Sequence, residues 1–374
     1  MGQKYVWQKD GWPLFTWDSD ILLPTVGQAR KAQGKIIARA NAIGLEERAT
    51  LLVEEAFATS AIEGENLNRQ TIRSSVARRL GLPTAGLPPQ VRQIDGLVDM
   101  LLDATTNYSI PLTDQRLHGW HAGIFPTGYS SIHKIQVGEW RTGKEPMRVI
   151  SGRMGREIIH FEAPPSSRIL KEMEAFLQWW AQPSVQVDGL IRAGIAHFWF
   201  VTIHPYDDGN GRISRAITDM ALSQDEKTGR RLYNLSTQIV KEREAYYDIL
   251  ESCQKGTCDI TSWLEWFLHM YIRAIGNSEG IVEKVVMISN FWQLYGQMEL
   301  NARQIKVLQK MLEAEPEGFE GGITNRKYVS MTSTSSETSK RDLVDLEAKG
   351  ILKQNPGRGR STSYSLDKSK LSEG

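Results

Sequence analysis

The sequence predicts a mainly α-helical protein with one small β-hairpin and a separate C-terminal domain. Most of its 374 residues lie in segments whose apolar positions recur at helical spacing. Two short β-prone runs, Met147–Ile150 and Glu157–Phe161, flank a glycine-containing turn and predict the hairpin. The segment from Asn301 onward has the order helix, helix, helix, basic hairpin, which is typical of a winged helix-turn-helix.

Composition indicates a globular protein of a reducing compartment. The chain has 45 Lys+Arg against 44 Asp+Glu, so it lacks the overall charge of a polyanion-binding protein. An apolar content of 40% and eleven tryptophans support sizeable cores. The two cysteines, Cys253 and Cys258, are too few for a disulfide framework. With no signal-peptide pattern and no apolar run of membrane-span length, we expect a cytoplasmic protein without membrane contact.

Changes in composition divide the chain into four regions. We expect residues 1–87 to form an N-terminal helical module and residues 88–276 to form a central, mostly helical domain. Residues 277–300 are predicted to be a helical connector, and residues 301–374 the winged-helix domain.

Glycines mark the ends of the helices predicted in the N-terminal module. The first helix includes QARKAQGKIIARANAI and is expected to stop at Gly44. The second has apolar positions from Leu45 to Ile62 and ends near Gly64. A shorter third helix is expected to end at Gly81.

The central domain is predicted to be built around a buried helix, because DGLIRAGIAHFWFVTI is apolar almost all round. This helix leads into a polar loop, and helical periodicity resumes in RISRAITDMALSQ. Further on, DITSWLEWFLHMYIRAIG is expected to be a helix with Asp259 as its N-cap and Gly276 at its end.

The polar loop, HPYDDGNGRISR from His204 to Arg215, combines the groups that phosphoryl-type transfer requires. Glycines at a helix start expose backbone N–H groups, which together with the helix dipole make an anion cradle. Asp208 can hold Mg²⁺, while Arg212 and Arg215 share one helix face and suit bidentate phosphate contacts. His204, with an ordinary pKa of about 6.5, suits removal of a hydroxyl proton. Each feature alone is usually structural, but their conjunction favours a transfer site.

The same stretch resembles the signature of the Fic family, H-x-F-x-[D/E]-G-N-G-R-x-x-R, with Tyr206 in place of the usual phenylalanine. These enzymes mostly transfer AMP from ATP to a Ser, Thr or Tyr hydroxyl of a protein. The resemblance implies a Fic-type helical bundle with a hairpin flap, with ATP as substrate and Mg²⁺ as cofactor. Tyr206 keeps an aromatic anchor, but its hydroxyl needs a partner if it is buried.

The resemblance also implies a role for each position of the motif. His204 would be the base that deprotonates the target hydroxyl, and Asp208 would be the Mg²⁺ ligand. Arg212 would contact the phosphates and orient the leaving group, and Arg215 would hold the γ-phosphate. The hydroxyl would then attack the α-phosphorus, and pyrophosphate would leave. The expected anion hole consists of Gly209, Asn210 and Gly211.

A second resemblance concerns TSAIEGEN, near the end of the second predicted helix. It is similar to the family's inhibitory motif, [S/T]-x-x-x-E-[G/N], with Thr59, Glu63 and Gly64 at the matching positions. A carboxylate that reaches Arg215 would occupy the partner of the γ-phosphate, so we expect an intramolecular brake. The alternative is that Glu63 is one more acidic residue on a solvated helix face. In some relatives this glutamate also supports AMP removal, which leaves de-AMPylation open as a second activity.

Other parts of the chain extend the resemblance. The hairpin lies where the family carries a flap that pairs with a target segment by strand addition, although an ordinary surface hairpin is the alternative. GEWRTG, from Gly138 to Gly143, precedes it and matches a common family context. Tyr246 and Tyr247 are candidates for the adenine pocket, but aromatic residues at helical spacing are more often core residues. The N-terminal module is similar to one that precedes the Fic domain in many bacterial proteins.

The C-terminal text SSETSKRDLVDLEAKGIL followed by GRGRSTSY has the pattern of a recognition helix and a wing. The candidate DNA phosphate contacts are Lys340, Arg341, Arg358 and Arg360. Protein docking or dimer formation is the alternative use of such a module.

Three functions therefore stay open from the sequence. The first is an autoinhibited protein adenylyltransferase that acts on an unidentified target protein and on itself, with release of inhibition through a homodimer as one option. The second is a DNA-binding regulator whose Fic domain senses nucleotide without transferring it, although an intact His204 argues against this. The third is a transferase of the same type with another nucleotide donor.

Overall fold

A computed structural model describes residues 5–38, 43–151, 158–182, 187–314, 319, 321–356 and 362–369. The chain divides into two compact units, Met1–Glu279 and Gly280–Gly374. The described residues are mainly helical with a few short strands, which confirms the predicted fold class at this level.

The first unit begins with a 3₁₀ turn, Val6–Gln8. Three helices follow, α1 (Ser19–Ile37), α2 (Leu45–Ile62) and α3 (Arg69–Leu80). Helix α2 begins at the predicted Leu45 and ends at Ile62, two residues before Gly64. Helix α3 ends at Leu80, with Gly81 as its C-cap in the left-handed conformation with φ 71°. The prediction that Gly44 stops the first helix is wrong, because α1 ends at Ile37. Gly44 is the N-cap of α2 and has an extended backbone with φ −77° and ψ 179°.

The remainder of the first unit carries the site. Its elements are α4 (Arg92–Thr106), α5 (Asp114–Ile124), β1 (Tyr129–Ser130), β2 (His133–Lys134), β3 (Arg148–Ser151), β4 (Ile158–Glu162), α6 (Ser166–Ala181), α7 (Gly189–Ile203), α8 (Asn210–Glu226), α9 (Leu235–Lys241) and α10 (Arg243–Gln254). Strands β1 and β2 pair antiparallel, as do β3 and β4. The β3–β4 pair is the predicted hairpin, with each strand displaced by one residue. Its turn, including the predicted strand residue Glu157, lies outside the described residues.

Helix α7 is buried along nearly its whole length, as its apolar sequence predicts. The last helix to begin in the first unit, α11 (Thr261–Tyr295), contacts α7 through Trp263, whose indole Nε1–H donates to the Gly194 carbonyl at 2.8 Å. A Cβ added at Gly194 would lie 2.8 Å from Leu264 Cδ2, so the absence of a side chain there lets the two helices approach closely. Helix α7 is thus packed against its neighbours up to the loop that follows it.

Helix α11 continues through Gly276, so the predicted helix end there is wrong. Asp259 behaves nearly as expected, because its carboxylate accepts from the Thr261 N–H at 2.9 Å. An isolated glycine inside a helix costs only about 1 kcal/mol relative to alanine. Buried apolar residues on both sides, Ile275 and Val282, offset that cost through packing.

The second unit contains the C-terminal helices and a small sheet. After the end of α11, its elements are α12 (Ala302–Glu313), β5 (Ile323–Thr324), α13 (Asn325–Thr332), α14 (Ser336–Ala348), β6 (Leu352–Gln354) and β7 (Ser363–Leu366). The strands form an antiparallel sheet in the order β5-β7-β6, and β5 was not expected from the sequence. The winged-helix assignment and the four domain boundaries stay predictions. Among the helices of the described ranges, none combines the length and the apolarity that crossing a bilayer requires.

Candidate functional site

A cavity of about 630 Å³ lies in the first unit. The β3–β4 hairpin and helix α10 supply most of its wall, and the first turn of α8 contributes as well. The sequence-predicted site residues among its lining are Glu63, His204, Gly211, Arg215, Tyr246 and Tyr247. The structure therefore places the proposed base, the second arginine and the motif carboxylate around one space.

His204 follows directly after α7 in the left-handed conformation, with φ 52° and ψ 59°. Its Nδ1 lies 3.2 Å from the Val201 carbonyl, which can only accept, so Nδ1 carries the proton. In the part of the chain that the structure describes, Nε2 has no hydrogen-bond partner. Burial lowers the pKa of His204 below its ordinary value, and the charge of Arg141 lowers it further against the opposing carbonyl bond. A neutral imidazole with a free Nε2 can accept a proton near pH 7.

The motif loop is closed by the side chain of Asn210. Its Oδ1 accepts from the Tyr206 N–H at 2.9 Å, and its Nδ2 donates to the Tyr206 carbonyl at 2.8 Å. The buried Tyr206 hydroxyl lies 3.1 Å from His118 Nδ1, which is the partner that burial requires. The Tyr206 ring stacks on His121 with centroids 4.1 Å apart. The Asn210 side chain thus shapes the loop, and only its backbone N–H remains for an anion.

Asp208 is held from the side of α5 and the β1–β2 turn. Its carboxylate accepts a hydrogen bond from the Ser130 hydroxyl. Its backbone carbonyl lies 3.1 Å from His121 Nε2, and the Gly138 N–H donates to His121 Nδ1 at 3.0 Å. These contacts define the tautomer of His121, and burial lowers the pKa of His121 to about 4, so the ring stays neutral.

The start of α8 is open toward the cavity. Gly209 is its N-cap with φ 81°, and no side chain caps the helix there. A Cβ added at Gly209 would lie 2.8 Å from Phe125 Cε2, so the close approach of α5 also requires a glycine. A Cβ added at Gly211 would lie 2.2 Å from Glu63 Oε1, so the Glu63 carboxylate sits directly over the first helical turn. An anion already occupies the positive end of this helix.

Arg215 is 2% exposed and binds the end of α2 through three hydrogen bonds. Its Nε donates to Thr59 Oγ1 at 2.7 Å, and its Nη2 donates to the Thr59 carbonyl at 2.9 Å and to Glu63 Oε1 at 2.8 Å. Burial lowers the pKa of Arg215, but the Glu63 carboxylate together with Tyr246 and Tyr247 outweighs this effect, and the net shift is upward. Nη1 is buried and has no partner among the described residues.

Arg212 has a carboxylate partner that the sequence analysis missed. Its Nη1 lies 3.1 and 3.3 Å from the two carboxylate oxygens of Glu65. The guanidinium also lies 4.9 Å from the Phe125 ring centroid, and its buried Nε has no described partner. The inhibitory motif ends at Gly64, so the only sequence signal for Glu65 was a second acidic residue two positions after Glu63.

The end of α2 explains why both carboxylates face α8. Gly64 has φ 84°, and its N–H donates to the Ala61 carbonyl at 3.0 Å. The Glu65 N–H donates to the Ser60 carbonyl at 3.0 Å, which completes a Schellman motif. Because this turn needs a residue at positive φ, Gly64 places Glu63 before the reversal and Glu65 after it.

Tyr246 and Tyr247 both line the cavity but differ in their other contacts. The Tyr246 hydroxyl lies 2.8 Å from His197 Nε2, and His197 Nδ1 lies 2.9 Å from Thr218 Oγ1. The Thr218 hydroxyl donates to a backbone carbonyl of α8, so it accepts from the Nδ1–H of His197. His197 Nε2 is then the acceptor, and the Tyr246 hydroxyl donates to it. Burial lowers the pKa of His197 to about 3, so this ring is neutral. Tyr247 is 37% exposed, and its hydroxyl donates to the end of α2 at 3.4 Å.

The candidate metal ligand and DNA contacts are not among the residues that line the cavity. Asp208 is half-buried, and nowhere in the described ranges do three His, Cys, Asp or Glu side chains group to hold a metal ion. A single carboxylate suits Mg²⁺ that is bound mainly through a substrate. Lys340 and Arg341 are exposed on α14 in the second unit, while Arg358 and Arg360 lie outside the described residues.

Two family models match separate parts of the chain. Residues 111–222, which run from just before α5 to within α8, match the Fic/DOC family. Residues 5–82, which include α1 to α3, match a domain of unknown function, DUF4172.

Comparison with solved structures finds similar folds at low sequence identity. The chain is similar to a Fic family protein from Desulfovibrio desulfuricans G20, with 18% identity, a TM-score of 0.56, and coverage of 92% of this chain and 95% of that one. It also matches a Fic domain containing signaling protein from Bacteroides thetaiotaomicron, with 16% identity, a TM-score of 0.48, and coverage of 70% and 97%. At these identities the first match shows a shared fold only, and the second score carries no conclusion.

Proposed function

We propose that the protein is an autoinhibited adenylyltransferase that moves AMP from ATP to a Ser, Thr or Tyr hydroxyl of a target protein. The Fic/DOC match over residues 111–222 supports nucleotide transfer to proteins in general. The observation that carries the proposal is the grouping of a neutral histidine, an uncapped helix N-terminus and a buried arginine around one cavity. This grouping is what transfer of a phosphoryl-type group requires.

His204 is the proposed base. Its free Nε2 accepts the proton of the target hydroxyl, whose oxygen then bonds to the α-phosphorus of ATP while the bond to pyrophosphate breaks. The Nδ1–H bond to the Val201 carbonyl holds the ring in the tautomer that this step needs. Since the imidazole is neutral near pH 7, no prior deprotonation is necessary.

The phosphate-binding groups are those that have unpaired donors. Arg212 Nε and Arg215 Nη1 are buried without described partners, and the Gly209–Gly211 cradle has no room for additional Cβ atoms. These features fit a polyphosphate, whose oxygens would accept from the guanidinium and backbone N–H groups. Asp208 would hold Mg²⁺, which neutralises phosphate charge when it is bound.

Inhibition follows from the anions already present. The Glu63 carboxylate binds Arg215 and lies over the first turn of α8, where it stands in for a phosphate. Glu65 in the same way takes a donor of Arg212. Both contacts must be released or shifted before a triphosphate can use the arginines, so α2 acts as the brake.

The donor experiment tests the transfer itself. We expect the Glu63→Gly variant to label itself or a lysate protein with α-³²P-ATP and Mg²⁺ but not with γ-³²P-ATP, because AMP is retained and pyrophosphate leaves. Excess unlabelled ATP should compete more strongly than GTP, UTP or CTP. If ATP binds but neither label is transferred, the nucleotide-sensing alternative is favoured. If another nucleotide competes best, the donor is not ATP.

DNA binding by the second unit is a second candidate function, and one surface favours it. On α14, Lys340 and Arg341 are exposed together with Val344, an apolar side chain that is 48% exposed. Val344 lies four residues after Lys340 and three after Arg341, so it neighbours both basic side chains on the helix surface. Basic side chains beside an exposed aliphatic group suit phosphate contacts and contact with a thymine methyl group.

Salt dependence tests this candidate. Each phosphate contact contributes about 0.9 to the slope of log K against log salt concentration, so Lys340→Ala/Arg341→Ala should reduce that slope by about 2. The matched control, Lys306→Ala/Lys310→Ala, removes two exposed lysines of α12 and should leave the slope unchanged. An equal change of the slope in both double variants would reject DNA binding by this surface. The absence of duplex DNA binding by the full chain at low salt, about 20 mM, would reject it as well.

A further inference from the structure

Arg141 donates hydrogen bonds to three backbone carbonyls around the proposed base. It is 3% exposed, and its Nε donates to the His204 carbonyl at 2.7 Å. Its backbone N–H donates to the Pro205 carbonyl at 2.9 Å. Its Nη2 donates to the Pro164 carbonyl at 2.5 Å. One residue thus contacts both the loop that carries the imidazole and the segment that leaves β4.

The backbone that Arg141 contacts includes a residue in an unfavourable conformation. His204 has φ 52°, a left-handed conformation that costs free energy for a residue with a Cβ and persists when its surroundings enforce it. Pro164 lies two residues after β4, and the Ala163 N–H beside it donates to the Met147 carbonyl at the base of β3. Arg141 therefore connects the conformation of His204 to the base of the hairpin that forms the cavity wall.

We propose that Arg141 is a positioning residue for the transfer reaction, which holds the His204 backbone and the end of the β3–β4 hairpin in one fixed relation so that the imidazole faces the cavity. This inference rests on the proposed function for the identity of the reaction, whereas the contacts of Arg141 do not depend on it. Lysine is a poor replacement, because its single nitrogen lacks the fixed, planar set of donors with which Nε and Nη2 reach the two carbonyls separately.

The charge of Arg141 provides a second readout. It lowers the pKa of His204, while the carboxylates of Glu63 and Asp208 raise it. Asp207, Arg215 and the charged side chains of α10 and β3 line the same cavity and remain in place when Arg141 is substituted. Removal of the Arg141 charge should therefore raise the pKa of His204, and a lysine at this position should raise it less.

The experiment compares Arg141→Lys and Arg141→Met with Arg192→Met. Arg192, near the start of α7, is a matched control. It is also buried, and its Nη2 donates to the Trp180 carbonyl of α6 at 2.6 Å. The protein has seven histidines, so ¹³C-histidine NMR resolves their titrations, and the signal lost in His204→Gln identifies His204. Transfer kinetics are measured for the same variants in a Glu63→Gly background.

We expect an upward shift of the His204 titration in Arg141→Met and none in Arg192→Met. We also expect Arg141→Lys to lose about 10- to 100-fold in kcat with a nearly unchanged KM for ATP, the loss typical of a misplaced reacting group. An unshifted titration in Arg141→Met, or an unchanged kcat in Arg141→Lys, would overturn the proposal. If Arg141→Met does not fold, the kcat of Arg141→Lys decides. If the Glu63→Gly parent transfers no AMP, the proposed function fails, and the NMR titration still decides the role of Arg141.

Discussion

Glu63→Gly is expected to raise the rate of AMP transfer about 10- to 100-fold at saturating ATP. The variant removes a charge-assisted hydrogen bond of 2.8 Å to Arg215, an interaction worth about 1.5–3 kcal/mol in a buried setting. It also removes the carboxylate above the first turn of α8, which leaves the helix N-terminus free for phosphate. The backbone at Glu63, with φ −82° and ψ 1°, is accessible to glycine, so the end of α2 should keep its conformation.

A matched pair of variants separates the brake from a general effect on α2. Glu63→Gln keeps the side-chain size and removes the charge, so it should also raise transfer. Glu54, also on α2, forms an exposed ion pair with Arg69 of α3, so Glu54→Gln makes the same chemical change and should have no effect. The rate of label incorporation from α-³²P-ATP is the measurement. Equal rates for the parent and both Glu63 variants would refute the brake.

Full activation is expected to need the loss of both the Glu63 and the Glu65 carboxylates. It binds Arg212 rather than Arg215, so Glu63→Gly alone leaves one phosphate-binding arginine occupied. Glu65→Gln in the Glu63→Gly background should increase transfer further, chiefly through a lower KM for ATP, because Arg212 then pairs only with the nucleotide. No additional change would mean that the Glu65 contact is a surface ion pair without a functional role.

Local patterns in the sequence predicted much of this site. Glycine at positive φ and the apolar text of α7 are local signals, and both appear in the structure at the expected places. The contact of Glu63 with Arg215 spans 152 residues in the chain, and only the family resemblance placed those two residues together. The structure shows that contact, while its role as a brake stays a prediction.

Other contacts left no readable pattern in the sequence. Glu65 meets Arg212 across 147 residues, and Arg141 meets Pro164 across the hairpin. Each depends on how helices and loops pack rather than on the spacing of residue types. The error at Gly276 has a different cause. The predicted segment ended at Gly276, whereas α11 continues to Tyr295, because one glycine costs a helix little and the flanking residues are buried.

His204→Ala in the Glu63→Gly background is expected to lower AMP transfer by about 10²- to 10⁴-fold, the usual contribution of a general base. ATP binding should be unchanged, since the arginines and the α8 N-terminus are intact. The control is His269→Ala, which removes an exposed histidine of α11 and should leave the rate unaltered.

The pH dependence of the AMP transfer rate gives a second test of His204 as the base. Burial lowers the pKa of His204, so the imidazole becomes available as pH rises through a value below the ordinary 6.5 or so, and transfer should already be on its plateau at pH 7. The acidic limb should disappear in His204→Ala, because the residual rate no longer depends on that group. A variant that retains the limb and stays within tenfold of its background (about 1.4 kcal/mol) would show that another group removes the proton. The cavity wall offers His160 as the next candidate, since it lies on β4 beside the same space.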